Sequence, residues 1–224
     1  MVFYKRVLIS LIFSGVLLAT AWAGAADDFI IRPGVDQKLT PSTSTKETTN
    51  NNNGAASSRR WIMAVGICKF ADTRISPLTY CVADARSISG YFKTDGVPDN
   101  QIILLADESA KKDSVLSSLK RISEGIAPDD SLFFFYSSHG AGDSLGKTYF
   151  ITFDTVIDDL ATTALPMQEL KNAVKEIKCR NIVMMIDTCH SGGAKSLGRQ
   201  DEKAFDKLVR TADRGTRIAI LTSS

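Results

Sequence analysis

Two short segments of this chain set a reactive side chain among glycines. One is Ser137-Ser138-His139-Gly140-Ala141-Gly142, the other Asp187-Thr188-Cys189-His190-Ser191-Gly192-Gly193. His139 and His190 are the only histidines, so imidazole catalysis has two candidates and a multi-histidine metal site is excluded. A free thiol of pKa about 8.5 is only a few per cent thiolate at pH 7. An adjacent imidazole takes the proton, raises the thiolate fraction and later protonates a leaving amine. The chemistry expected of Cys189 with His139 is therefore attack on a carbonyl carbon. Glycines let the backbone approach a substrate, and the N–H groups of Gly140 and Cys189 are the candidate oxyanion donors. His190 is the rival base, but on an extended backbone it points away from its neighbour Cys189.

For the histidine and the cysteine to meet, they must end two neighbouring elements. Apolar runs of strand length cover 61–67 (WIMAVGI), 101–105, 131–136, 149–153, 181–186 and 217–221. Helical spacing falls between them. It covers 82–93 through Ala85, Ile88, Ser89 and Phe92, and 111–122 through Val115, Leu116, Leu119 and Ile122. It returns over 167–177 through Leu170, Ala173, Val174 and Ile177, with a further helix expected over 202–210. Continuously apolar strands alternating with amphipathic helices predict an α/β three-layer sandwich with a mostly parallel central sheet. Right-handed crossovers would bring the strand C-termini to one edge, where open α/β sheets hold their sites.

With 224 residues, 44% hydrophobic and 23% charged, the chain suits one ordinary domain plus tails and is not globally disordered. A formal charge of +2 is far from the basic surface of a nucleic-acid binder. Four cysteines without a CxxC pair form neither a disulfide scaffold nor a zinc site. Cys68 and Cys81 lie beside the expected site and could pair in an oxidising compartment, whereas Cys179 is expected to be buried and inert.

The N-terminus carries Lys5 and Arg6, an apolar run over 7–18 and Ala21-Trp22-Ala23. This reads as a signal peptide over 1–23, giving a secreted or periplasmic protein with no stable membrane anchor after cleavage. A retained single-pass anchor is the alternative, though the run is short of the roughly 20 residues a spanning helix needs. Residues 24–58, rich in Ser, Thr and Asn, read as a polar tether with an apolar island over 28–35. The folded domain is expected over 59–224.

FFFYSSHGAG resembles the histidine motif of caspase-like peptidases, and MMIDTCHSGGA resembles the cysteine motif of metacaspases and their bacterial relatives. The two residues are fifty positions apart, the separation noted for caspases. MAVGICKF with SPLTYCVADARSISGYF resembles the family's first strand and helix. The resemblance spans 61–224 and implies a cysteine endopeptidase acting on proteins or peptides after Arg or Lys. It maps the S1 pocket onto Cys81, Asp84, Ser137 and Asp187, where carboxylates would attract a guanidinium and repel an acidic side chain. A catalytically silent caspase-fold binding module is the alternative. No cofactor is required by the chemistry, but the resemblance implies a possible calcium site, to which Asp158, Asp159, Asp201 and Glu202 are the available acids. It also implies Lys195 and Arg199 as self-cleavage points. Family members continue past the strand matching RIAILTSS, so the chain is expected to be a shortened form or to be completed by another chain.

Overall fold

The computed structural model describes residues 58–189 and 217–223. The expected signal peptide, the tether up to residue 57, the helix over 202–210, His190, Lys195, Arg199, Asp201 and Glu202 lie outside the described residues. Five parallel strands form the main sheet in the order β2-β1-β3-β6-β7. They are β1 (Arg60–Gly66), β2 (Ile102–Ala106), β3 (Ser131–Gly142), β6 (Asn181–Cys189) and β7 (Arg217–Ser223). Two short strands, β4 (Thr148–Phe150) and β5 (Leu165–Pro166), continue from β3 in antiparallel fashion. The helices are α1 (Cys81–Thr94), α2 (Lys112–Gly125), the short α3 (Leu160–Thr163) and α4 (Met167–Lys175).

Each face of the sheet is apolar, and each is covered. Met63, Val65, Leu132, Phe134, Ile182 and Met184 meet Val115, Leu119 and Ile122 of α2 and Leu170 and Val174 of α4. On the other face Ile62, Ala64, Phe133 and Phe135 meet Ala85, Ile88 and Phe92 of α1. Burying each large side chain contributes roughly 1.5–3 kcal/mol, so both helical layers are held by the strands' alternating pattern. The three-layer sandwich follows.

β3 differs from its sequence expectation in length. It continues six residues beyond Tyr136, through the whole histidine motif. Its rungs with β6 run from Ser131–Asn181 to His139–Cys189, and its rungs with β4 from Gly140–Phe150 to Gly142–Thr148. The partner changes between His139 and Gly140. The strand expected over 149–153 is correspondingly shorter, ends at Phe150 and runs antiparallel.

Candidate active site

His139 is 3% exposed and is the Cα partner of Cys189 on the last rung between β3 and β6. Its ring is held by the β1–α1 loop on two sides. Nε2 lies 2.8 Å from the Ser76 carbonyl oxygen, and the ring stacks on Phe70 with centroids 5.4 Å apart. A carbonyl oxygen only accepts, so Nε2 is the donor in this bond. The orientation of the imidazole is thus held from two sides.

The change of partner along β3 also sets the backbone donors. Ser137's carbonyl accepts from Ile67 N–H, and His139's carbonyl accepts from Ile151 N–H, both at 3.0 Å. β4 therefore takes over the edge of β3 that β1 leaves. Because backbone groups of successive residues point to opposite edges, Gly140 directs its N–H toward the β6 side. Two buried hydroxyls clamp this arrangement, Tyr136 Oη and Ser138 Oγ donating to the Ile151 carbonyl at 2.9 and 2.8 Å. Burial pushes the Tyr136 phenol far up, so it remains a donor.

Two of the four expected S1 residues, Ser137 and Asp187, share one row with Gly66. Gly66 pairs with Ser137, and Ser137 with Asp187. Strand alternation turns Ser137 and Asp187 to the face that α1 covers. Cys81 opens α1 directly over this row: a Cβ on Gly66 would lie 2.2 Å from the Cys81 carbonyl oxygen. Only glycine lets the helix start so close to the strand. Cys81 and Ser137 are buried, while Asp84, in the first turn of α1, and Asp187 are half-buried. The helix N-terminus favours a carboxylate at Asp84 whatever else it does.

The disulfide expected as possible between Cys68 and Cys81 is not formed, and Cys68 Sγ accepts the Val82 N–H at 3.3 Å. Cys179 is also free and buried as expected. Sequence reasoning missed Ser76 and Phe70. Ser76 acts through its backbone carbonyl, which leaves no mark on residue type, and Phe70 sits outside any periodic element.

The two acids available among the described residues do not fit a calcium site. Arg74 Nη1 lies 2.5 Å from Asp158 Oδ2, and Asp159 caps α3 by accepting from Thr162 N–H. Arg74 also donates to Asp72, holding that carboxyl well below its ordinary range. Calcium takes six to eight oxygens, and among the described residues no group of three His, Cys, Asp or Glu side chains could hold a metal.

The geometry has counterparts among known proteins. Metacaspase-1 of Cryptococcus neoformans var. neoformans serotype D (strain B-3501A) is 26% identical over 142 residues, covering 54% of this chain and 30% of the relative. Metacaspase-1 of Mycosarcoma maydis is 25% identical over 158 residues, covering 62% and 37%. The chain thus spans about a third of the length of the curated relatives it matches. The crystal structure of a Geobacter sulfurreducens protein superposes with a TM-score of 0.52 at 16% identity, covering 73% of this chain and 71% of that one, which supports the fold alone. The caspase domain model matches residues 59–223, and the chain belongs to that family of peptidases.

Proposed function

We propose that this chain is a cysteine endopeptidase in which Cys189 is the nucleophile and His139 the base. The carrying observation is the shared rung of His139 and Cys189, with Nε2 hydrogen-bonded to the Ser76 carbonyl; this reading gives Nδ1 the role of base. In the first step the Cys189 thiol proton passes to Nδ1 as Sγ attacks the scissile carbonyl carbon. The N–H groups of Gly140 and Cys189 receive the developing oxyanion. Collapse breaks the C–N bond, the imidazolium protonates the departing amine, and a thioester remains on Cys189. Water then attacks the thioester, giving its proton to Nδ1, and the carboxyl product leaves with the thiol restored.

The proposed P1 residue is Arg or Lys. Asp84 in the first turn of α1 and Asp187 on the α1 side of the sheet, both half-buried, supply the carboxylates, and Ser137, paired with Asp187, adds a polar side chain. A guanidinium gains charge-assisted hydrogen bonds there, whereas an aspartate meets two like charges. The N-terminal pattern supports export, placing this activity outside the cytoplasm.

Fluorogenic peptides ending in Arg, Lys or Asp, offered to the full chain, test the proposal. Cleavage after Arg and Lys, little after Asp, and none with Cys189→Ala is expected. Turnover that survives Cys189→Ala overturns the nucleophile. A folded domain that cleaves none of the peptides leaves the silent binding module instead.

A further inference from the structure

We infer that Asp107, which lies outside the proposed dyad and S1 pocket, is the positioning residue that holds the His139 imidazole in line. The inference rests on the peptidase reading above. Asp107 follows β2 and is the one non-glycine residue with positive φ among the described residues, at 44°. Aspartate tolerates this left-handed conformation better than most residues, but it is still a conformation that surroundings must enforce. What it achieves is the placement of a carboxylate across the sheet edge. Asp107 Oδ1 accepts the N–H of Cys68 at 2.7 Å and of Lys69 at 3.0 Å, the second and third residues of the β1–α1 loop.

That loop supplies two contacts to the imidazole, and each is one short step from the clamped peptides. Lys69 precedes Phe70, whose ring stacks on His139. Cys68 is a three-way tie. Its N–H is bound by Asp107, its carbonyl accepts Leu78 N–H at 2.8 Å, and its sulfur accepts Val82 N–H. Leu78 lies two residues after Ser76, whose carbonyl takes the ring proton. Ser76 is itself exposed, while its neighbour Ile75 is buried against Tyr149 and Ile151. The position of its carbonyl follows from that packing together with the loop's anchors. Arg74, bridging Asp72 and Asp158, fixes the middle of the loop, and Asp107 fixes its start. A carbonyl that drifts releases the ring to rotate, and a small misplacement of a catalytic group is costly in rate.

The positive φ allows the carboxylate to be removed without disturbing the backbone. Asp107→Gly keeps the left-handed conformation comfortably and deletes the acceptor. Asp107→Asn keeps an Oδ1 acceptor and tolerates the same φ. Asp107→Glu keeps the charge but displaces it by one methylene. The readouts are kcat and KM on a peptidyl-arginine coumarin substrate, and the rate of Cys189 alkylation by iodoacetamide at pH 7, followed by mass spectrometry. Thermal unfolding is recorded for every variant. The expected result is a fall of about tenfold or more in kcat and in Cys189 alkylation for Asp107→Gly and Asp107→Glu. KM stays within about twofold, and Asp107→Asn recovers most of the rate, since the positioning acts before any substrate contact. Wild-type kcat and alkylation in Asp107→Gly or Asp107→Glu would overturn the inference. So would a loss that disappears when the assay is run well below the variant's melting temperature. The peptidase reading fails separately: Cys189 would then alkylate equally fast in the wild type and in His139→Ala.

Discussion

His139 and Cys189 stand as Cα partners on the terminal rung between β3 and β6, at the point where β3 exchanges parallel for antiparallel company. Two consequences follow from that single position. The backbone of both residues is fixed by the most central ladder of the sheet. The glycine after the histidine is also freed from β6's parallel register and turned toward the edge where that strand ends.

Gly66 is the first place to disturb the pocket without touching an expected catalytic group. In Gly66→Ala the new methyl meets the Cys81 carbonyl at 2.2 Å and the Ala85 methyl at 2.8 Å. The start of α1 must move away from the Ser137–Asp187 row. Overpacking of this kind costs about 1–3 kcal/mol. Urea unfolding should show that loss, and KM for arginyl peptides should rise several-fold more than kcat falls. Wild-type stability in this variant would contradict the close approach.

Asp130 predicts an acid-sensitive anchor at the opposite end of the sheet. Burial opposes its ionisation, but the N–H groups of Ala127 and Arg59, the Arg59 guanidinium and Trp61 outweigh it and hold the carboxyl below its ordinary 3.8. A lowered folded-state pKa means stabilisation that is complete above the unfolded-state value and lost as pH falls through the folded one. Asp130→Ala should cost about 2 kcal/mol at pH 7, through the donors it leaves unpaired. Urea titrations should show the gap to wild type narrowing below about pH 4. An undiminished gap at pH 2 would assign the effect to packing instead.

Cys179 provides a control for thiol chemistry. It is 1% exposed, and burial raises its thiol to about 11, well above an ordinary cysteine. At pH 8 its thiolate fraction is then on the order of one in a thousand. Native alkylation followed by peptide mapping should leave Cys179 unmodified until the domain unfolds. Modification at the rate of a free thiol would contradict its burial.

Much of this arrangement was legible in residue types. The apolar runs of β1, β3 and β6 announce a covered parallel sheet, and Ala85, Ile88, Ser89 and Phe92 lie on the buried side of α1. Cys189 ends β6 as its glycine-rich motif suggests, whereas His139, expected at a strand end, lies opposite it three residues before β3 ends. What was hidden is long-range. β4 and β5 are three and two residues long, too short for any period to register. The extension of β3 through Ser137 to Gly142 shows no apolar alternation, since its residues are small or polar and Ser137 to Gly140 are all buried. The Ser76–His139 and Asp107–Cys68 bonds join groups 63 and 39 positions apart, through a carbonyl and a carboxylate on irregular backbone. No local pattern encodes such pairs.

An arginyl chloromethylketone gives the most direct test of the account, because it requires the pocket, the nucleophile and the base together. Peptide mapping after inactivation should find one adduct per chain, on Cys189. His139→Ala should slow its formation about a hundredfold or more. An adduct on another residue, or the same rate without the imidazole, would contradict the assignment of Cys189 and His139 as a working pair.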